Sequence, residues 1–185
     1  MGKMIECIID SIRVSLTNQD RITVLKEKDA ERYLPIWMGI PETDSITIAL
    51  QGVAIARPLT HDLLISVMNA LDIRLESVEI TNLENDTFYA NLILEQNGVH
   101  KIVDSRPSDA IAIAIRAKAP VFVDEDILDA VGIRPEDVLP QTRHEEDSSD
   151  VDADLDIFED FLGQISKDNK DKDQPGNPSD ETPNQ

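Results

Sequence analysis

The sequence predicts an α+β domain of about seven strands and four helices, followed by an acidic tail. Three observations carry that prediction. Runs rich in Ile, Val and Leu, separated by polar turns, fill residues 4–38 and again 74–105. Two segments, 60–71 and 107–119, open on polar residues and continue as apolar stretches of helical length. Composition then changes sharply: residues 1–143 hold 14 Lys+Arg and 23 Asp+Glu, whereas 144–185 hold 3 and 14. Over half of the net charge of -20 therefore lies in the last quarter of the 185 residues.

The N-terminal unit reads as three strands. In "MIECIIDSIRVSL", Ile5, Cys7 and Ile9 alternate, then Ile12, Val14 and Leu16 resume out of phase, so a bulge is expected near Asp10. "RITVLKEKD" and "RYLPIWMGI" follow as a hairpin, and Pro35 places the third strand at an edge or a bulge. "PETDSITIALQGVAIA" is read as a helix despite its β-branched residues. Pro41 suits a first turn, and Glu42 and Asp44 favour the positive end of the helix dipole. "RPLTHDLLISVMNALDI" is a second helix, with Thr60 as the expected cap and Leu63, Leu64, Val67, Met68 and Leu71 at helical spacing.

A three-strand meander follows, turned at Asn85-Asp86 and Asn97-Gly98. "DSRPSDAIAIAIRAKAP" (104–120) then alternates Ala and Ile as a strand would. Pro107 at a first helical position, Asp109 in the first turn and the Ala-rich run argue instead for a buried helix, ending before Pro120. "PVFVD" is a short strand, and "EDILDAVGI" a short helix stopped by Gly132. The expected domain spans 1–140, an acidic linker 141–154, and a small amphipathic helix 155–166 with Leu155, Phe158, Phe161, Leu162 and Ile165 on one stripe. Residues 167–185 lack large apolar side chains and are expected to be disordered.

Composition excludes several classes of function. Cys7 is the only cysteine, so neither an intrachain disulfide nor a thiolate zinc cluster is possible. The N-terminus lacks the apolar core of a signal peptide, and no apolar run approaches the ~20 residues of a membrane span. A cytoplasmic protein is expected. The usual basic footprint of a nucleic-acid binder is missing. P-loop, dinucleotide-binding, zinc-protease and nucleophile-elbow motifs are absent from the sequence.

What remains is polar groups at two helix starts: Arg57, His61 and Asp62 at one, Asp104, Arg106, Ser108 and Asp109 at the other. Arginine binds phosphate bidentately, helix N-termini offer free N–H groups, and paired carboxylates can hold Mg²⁺ or Mn²⁺. Arg57, Arg106 and Ser108 are thus phosphate-binding candidates. His61, Asp62 and Asp109 are catalytic candidates, and Asp104 and Asp109 metal candidates. The alternative is structural: Ser108, Thr60, Asp62 and Asp109 cap helices, and the arginines pair with the carboxylates.

At these residues the chain resembles the bifunctional nuclease domain family. The likeness rests on "ARPLTHDLL", "VEITNLENDTFYANLIL" and above all "DSRPSDAIAIAIRAKAPVFVDEDIL". It implies an α+β fold over about residues 3–135 and nuclease activity on DNA and RNA, and it adds Arg116 to the phosphate-binding candidates. The expected function is metal-assisted phosphodiester hydrolysis, with no organic cofactor. The alternative is a non-catalytic, homo-oligomeric interaction or regulatory domain, in which the 155–166 helix engages a protein. A homo-oligomer is expected under either reading.

Overall fold

A computed structural model describes residues 2–14 and 21–135. The linker, the 155–166 helix and the tail expected from the sequence lie outside the described residues. Seven strands and four helices follow one another as β1 (Met4–Val14), β2 (Arg21–Glu27), β3 (Tyr33–Met38), α1 (Ile40–Leu50), α2 (Thr60–Ala70), β4 (Arg74–Glu84), β5 (Thr87–Gln96), β6 (Val99–Ser105), α3 (Pro107–Ala117), β7 (Val121–Asp124) and α4 (Glu125–Val131). The architecture is α+β, in the element order that the sequence predicts.

All seven strands join one mixed sheet in the order β3-β2-β1-β7-β4-β5-β6. β7 is its seam. It pairs antiparallel with β1 (Met4 opposite Asp124, Cys7 opposite Val121) and parallel with β4 (Val78 opposite Val121). The β1–β2 register shifts between Ile9 and Ser11, the bulge foreseen at Asp10. β3 is an edge strand, and an edge tolerates Pro35 because the missing N–H can face outward. The turns at Asn85-Asp86 and Asn97-Gly98 carry positive φ throughout, as two-residue hairpin turns require.

α3 leaves the sheet edge at β6 and returns to its middle at β7, so the chain must cross over β4 and β5. It packs on those two strands and is flanked by α1 and α2. That placement explains the misleading alternation: Ala110, Ile111, Ala112, Ile113 and Ala114 are all buried, on several sides of the helix at once. Lys118 closes α3 in the left-handed conformation, and Ala119 N–H reaches Ala114 O at 3.0 Å. The helix therefore ends two residues before Ala119, the residue that Pro120 keeps out of helical geometry.

α4 is tied to the opposite end of the chain. Ile133 bridges to Tyr33, and buried Arg32 donates to Glu27 Oε2 at 2.8 Å and to the Asp129 carboxylate. At Gly132 a Cβ would collide with the Leu128 carbonyl, so only glycine lets the chain turn that tightly out of α4. Cys7 is buried, and burial, with Glu27 adding to it, pushes its thiol up to about 12. It is a core residue, not a nucleophile. No helix among the described residues is long and apolar enough to cross a membrane.

The core cluster centres on α3, so truncation there should cost more than elsewhere. Ile111→Ala is expected to lower unfolding free energy by about 2–4 kcal/mol in urea titrations, with an unchanged denaturant slope.

Candidate functional site

The polar residues of α1, α2 and α3 meet at one junction. Asp109 and Arg116 lie seven residues apart on α3, two turns along one face. They meet consecutive residues of α2. His61 Nε2 lies 3.2 Å from Asp109 Oδ1, and Arg116 Nε donates to Asp62 Oδ1 at 2.5 Å. Ser45 of α1 completes the bridge: its Oγ is 2.8 Å from His61 Nδ1 and accepts from Arg116 Nη2 at 3.2 Å. Arg116 also donates to the Ala112 and Ser45 carbonyls at 2.8 and 3.3 Å.

The junction opens outward at Arg106, the N-cap position of α3, whose side chain is 66% exposed. Its guanidinium grips Asp109 through two bonds, Nε to Oδ2 at 2.8 Å and Nη2 to Oδ1 at 3.2 Å. A third bond, 3.1 Å long, runs to Glu42 Oε1 in the first turn of α1. Gly39 makes room for Glu42, whose carboxylate occupies the space that a Cβ at residue 39 would need.

Donor logic fixes the state of the neutral His61 ring. The ionised Asp109 carboxylate only accepts, so Nε2 carries the proton and Nδ1 is left to accept from the Ser45 hydroxyl. The order of donation is then Arg116 to Ser45, Ser45 to His61, His61 to Asp109. The Arg116 contact, with help from the Leu59 N–H, holds the Asp62 carboxyl below its ordinary range. At Asp109 burial works in the opposite direction, but the Arg106 and His61 contacts together outweigh it and this carboxyl too is held low.

Several sequence expectations change here. Thr60 does not cap α2: Leu59 holds the N-cap position, and the Asp62 carboxylate accepts from its N–H at 2.8 Å. The sequence set Arg57 beside His61 and Asp62. It instead stands in an exposed loop, outside the network of contacts at the junction. Asp104 is exposed on β6, paired in register with Asn91, and likewise contributes no contact to the junction. Ser108 is buried in the first turn of α3. His61, Asp62, Asp109, Arg106 and Arg116 do come together. Ser45 and Glu42 join them unforeseen, because both are reached only across helices and no local spacing betrays them.

The metal expectation can be set against the donor set. Both oxygens of Asp109 and of Asp62 already accept hydrogen bonds. Among the described residues no group of three or more His, Cys, Asp or Glu side chains could hold an ion. These residues do not make a resident Mg²⁺ or Mn²⁺ cage.

Comparison with known proteins gives consistent matches. The sequence profile of the bifunctional nuclease domain matches residues 23–136. An uncharacterized protein of Mycobacterium tuberculosis, Rv1829, is 38% identical over 164 residues, covering 88% of this chain and 96% of that protein. Bifunctional nuclease 1 of Oryza sativa subsp. indica is 31% identical over 135 residues, 68% of this chain and 40% of its own. Bifunctional nuclease 2 of Arabidopsis thaliana is 30% identical over 115 residues, 60% of this chain and 35% of its own.

The junction should register in acid stability. A carboxyl whose folded pKa is depressed stabilises the protein above its unfolded value of about 3.9, and that contribution is lost as pH falls through the folded value. Asp62→Asn should therefore lower Tm by a constant amount from pH 7 to about pH 4.5, and the gap to the parent should close below that. Arg116→Ala, which strands Asp62 and the Ser45 carbonyl, should cost about 2–4 kcal/mol at neutral pH in the same scans.

Proposed function

The chain belongs to the bifunctional nuclease domain family, and from that premise we propose that it hydrolyses phosphodiester bonds in DNA or RNA at the junction of α1, α2 and α3. One observation carries the reading: a histidine oriented between a hydroxyl and a carboxylate lies next to an exposed arginine at a helix start. This supplies a proton acceptor and an anion anchor within one site.

The chemistry follows from what each group has left to offer. Arg106 is the exposed cation, and a phosphate reaching it must compete with Asp109 and Glu42. Both nitrogens of His61 are engaged, so the ring does not meet a water directly. The Ser45 hydroxyl donates to Nδ1 and accepts from Arg116, which leaves one lone pair for an incoming water. The proton of that water passes through Ser45 to His61, and Asp109 stabilises the imidazolium that forms. The resulting hydroxide attacks phosphorus, and the leaving oxygen takes up the proton from His61 by the same route.

Mg²⁺ or Mn²⁺ is proposed as an ion carried in on the substrate's phosphates, since the side chains present do not cage one. Residence in the cytoplasm and a bacterial origin belong to the same proposal, supported by the lone buried cysteine and the mycobacterial relative. A second reading, a non-catalytic interaction domain engaging a protein through residues 155–166, is favoured by the saturation of the junction. Each of its side chains already has at least one partner, as a purely structural tie would have it.

Assays of the purified full chain on single- and double-stranded DNA and RNA, with Mg²⁺, Mn²⁺ or EDTA, separate the two. His61→Ala is expected to lower kcat roughly 100- to 10,000-fold. Arg106→Ala is expected to lower kcat/KM by about 10- to 100-fold. Glu42→Gln, which releases Arg106 from one competitor, should lower KM several-fold. Activity that survives unchanged in a His61→Ala, Asp109→Ala double variant belongs to a contaminant, and the interaction reading then stands.

A further inference from the structure

α2 contributes His61 and Asp62 to the junction at its first turn, but most of the helix does something else. Only Met68 is buried, and Ile65 packs partly against the core. The outward side carries Leu63 at 57% exposure, Val67 at 45% and Leu71, the C-cap residue, at 55%, with Leu64 beside them at 39%. Leu63, Val67 and Leu71 stand at i, i+4 and i+8, so they form one continuous ridge. The loop feeding α2 is exposed from Gln51 to Pro58 and adds Val53 and Ile55. At roughly 170 Å² for a whole aliphatic side chain and its backbone, these six residues expose on the order of 500 Å² of mostly apolar surface. That is the upper end of what a monomer leaves open.

We propose that this face of α2 is the interface of a two-fold homodimer, with two α2 helices packed antiparallel. Two properties select a second copy as the occupant. The first is symmetry. Leu63–Val67–Leu71 reads the same about Val67, so on a two-fold axis Val67 meets its own copy while Leu63 packs on the partner subunit's Leu71. Antiparallel packing also sets the positive end of each helix dipole beside the negative end of the other.

The second property is charge. A chain of net charge -20 repels itself, and acids are spread through the sequence, 37 in 185 residues. From Leu50 to Leu71 there is one acid, Asp62, and Arg116 neutralises it. The α2 face up to Leu71 is thus a place where two copies can approach with few carboxylates brought together, the exposed Asp72 standing at its end. At roughly 500 Å² the face falls below the roughly 800 Å² per partner of a standard interface, in the range of weaker, concentration-dependent association. The exposed edge strand β6 is the competing surface. It carries His100, Lys101 and Asp104 among its apolar residues, the kind of charge that blunts edge pairing.

The inference does not depend on the nuclease reading, because its readout is molecular mass. Light scattering behind size exclusion on the full chain, over about 1–100 μM, should show a dimer. Val67→Glu sets like charges face to face on the axis and should raise the dissociation constant roughly 100-fold or more, while circular dichroism and Tm show a folded chain. Ile102→Glu on β6 should leave the dimer intact. Val67→Cys should form an intermolecular disulfide under mild oxidation, with Cys7 buried and unable to contribute. A monomer at every concentration overturns the proposal. So does a dimer that survives Val67→Glu, or one broken by Ile102→Glu instead. A full chain that is monomeric and dimerises only after removal of residues 136–185 also overturns it, and assigns the face to the chain's own C-terminal segment.

Discussion

The fold depends on burying α3 with its charges intact. A helix that crosses two strands and is flanked by two others has almost no side open to water, and its alanines let the neighbours approach closely. Yet it carries Asp109 and Arg116 on the face turned toward α2. An ionised group in such surroundings is tolerated only when it is paired. Each finds its partner on α2, and Ser45 links the two pairs through α1. The polar junction is therefore the place where three helices acquire a fixed mutual position. Any catalytic role has to be built on a constellation that the fold already needs.

That dual use bears on how a strongly acidic protein can address a polyanion. The junction holds three carboxylates, Glu42, Asp62 and Asp109, against two guanidinium groups. With His61 neutral it is slightly negative. Long-range attraction is absent, so under the proposed function recognition would come from contact, with Arg106 changing partners. Such a site favours a substrate held close over one captured from a distance.

Much of the fold was legible because local rules and tertiary demands agreed. The bulge at Asp10, the edge position of Pro35 and the two Asn-initiated turns each follow from a few adjacent residues. α3 was legible only by setting Pro107, Asp109 and the alanines against its period-2 pattern. That pattern arises because a helix buried on several sides loses the usual alternation of wet and dry faces. The candidate site was half visible. His61, Asp62, Arg106 and Asp109 stood out as polar groups at helix starts. Ser45 and Glu42 did not, since their partners lie 16 and 64 residues away. Arg57 repeats the Arg-Pro pair of α3 but takes a different place relative to its helix. In α3 that arginine sits at the N-cap, whereas Arg57 stands two residues before the Leu59 N-cap of α2 and lies in an exposed loop.

The seam strand has a consequence for how the chain is made. β7 pairs with β1 across more than a hundred residues of sequence, and it also joins β4. Until residues 121–124 have left the ribosome, the β1–β2–β3 unit and the β4–β5–β6 meander are two separate sheets, each with a bare inner edge. Closure is a late, non-local event, and it comes immediately after α3 emerges to cover the meander. The four residues that join the halves are thus also a timing device: the β1 edge waits from the first strands onward, the β4 edge only from the meander onward, and both close in one step.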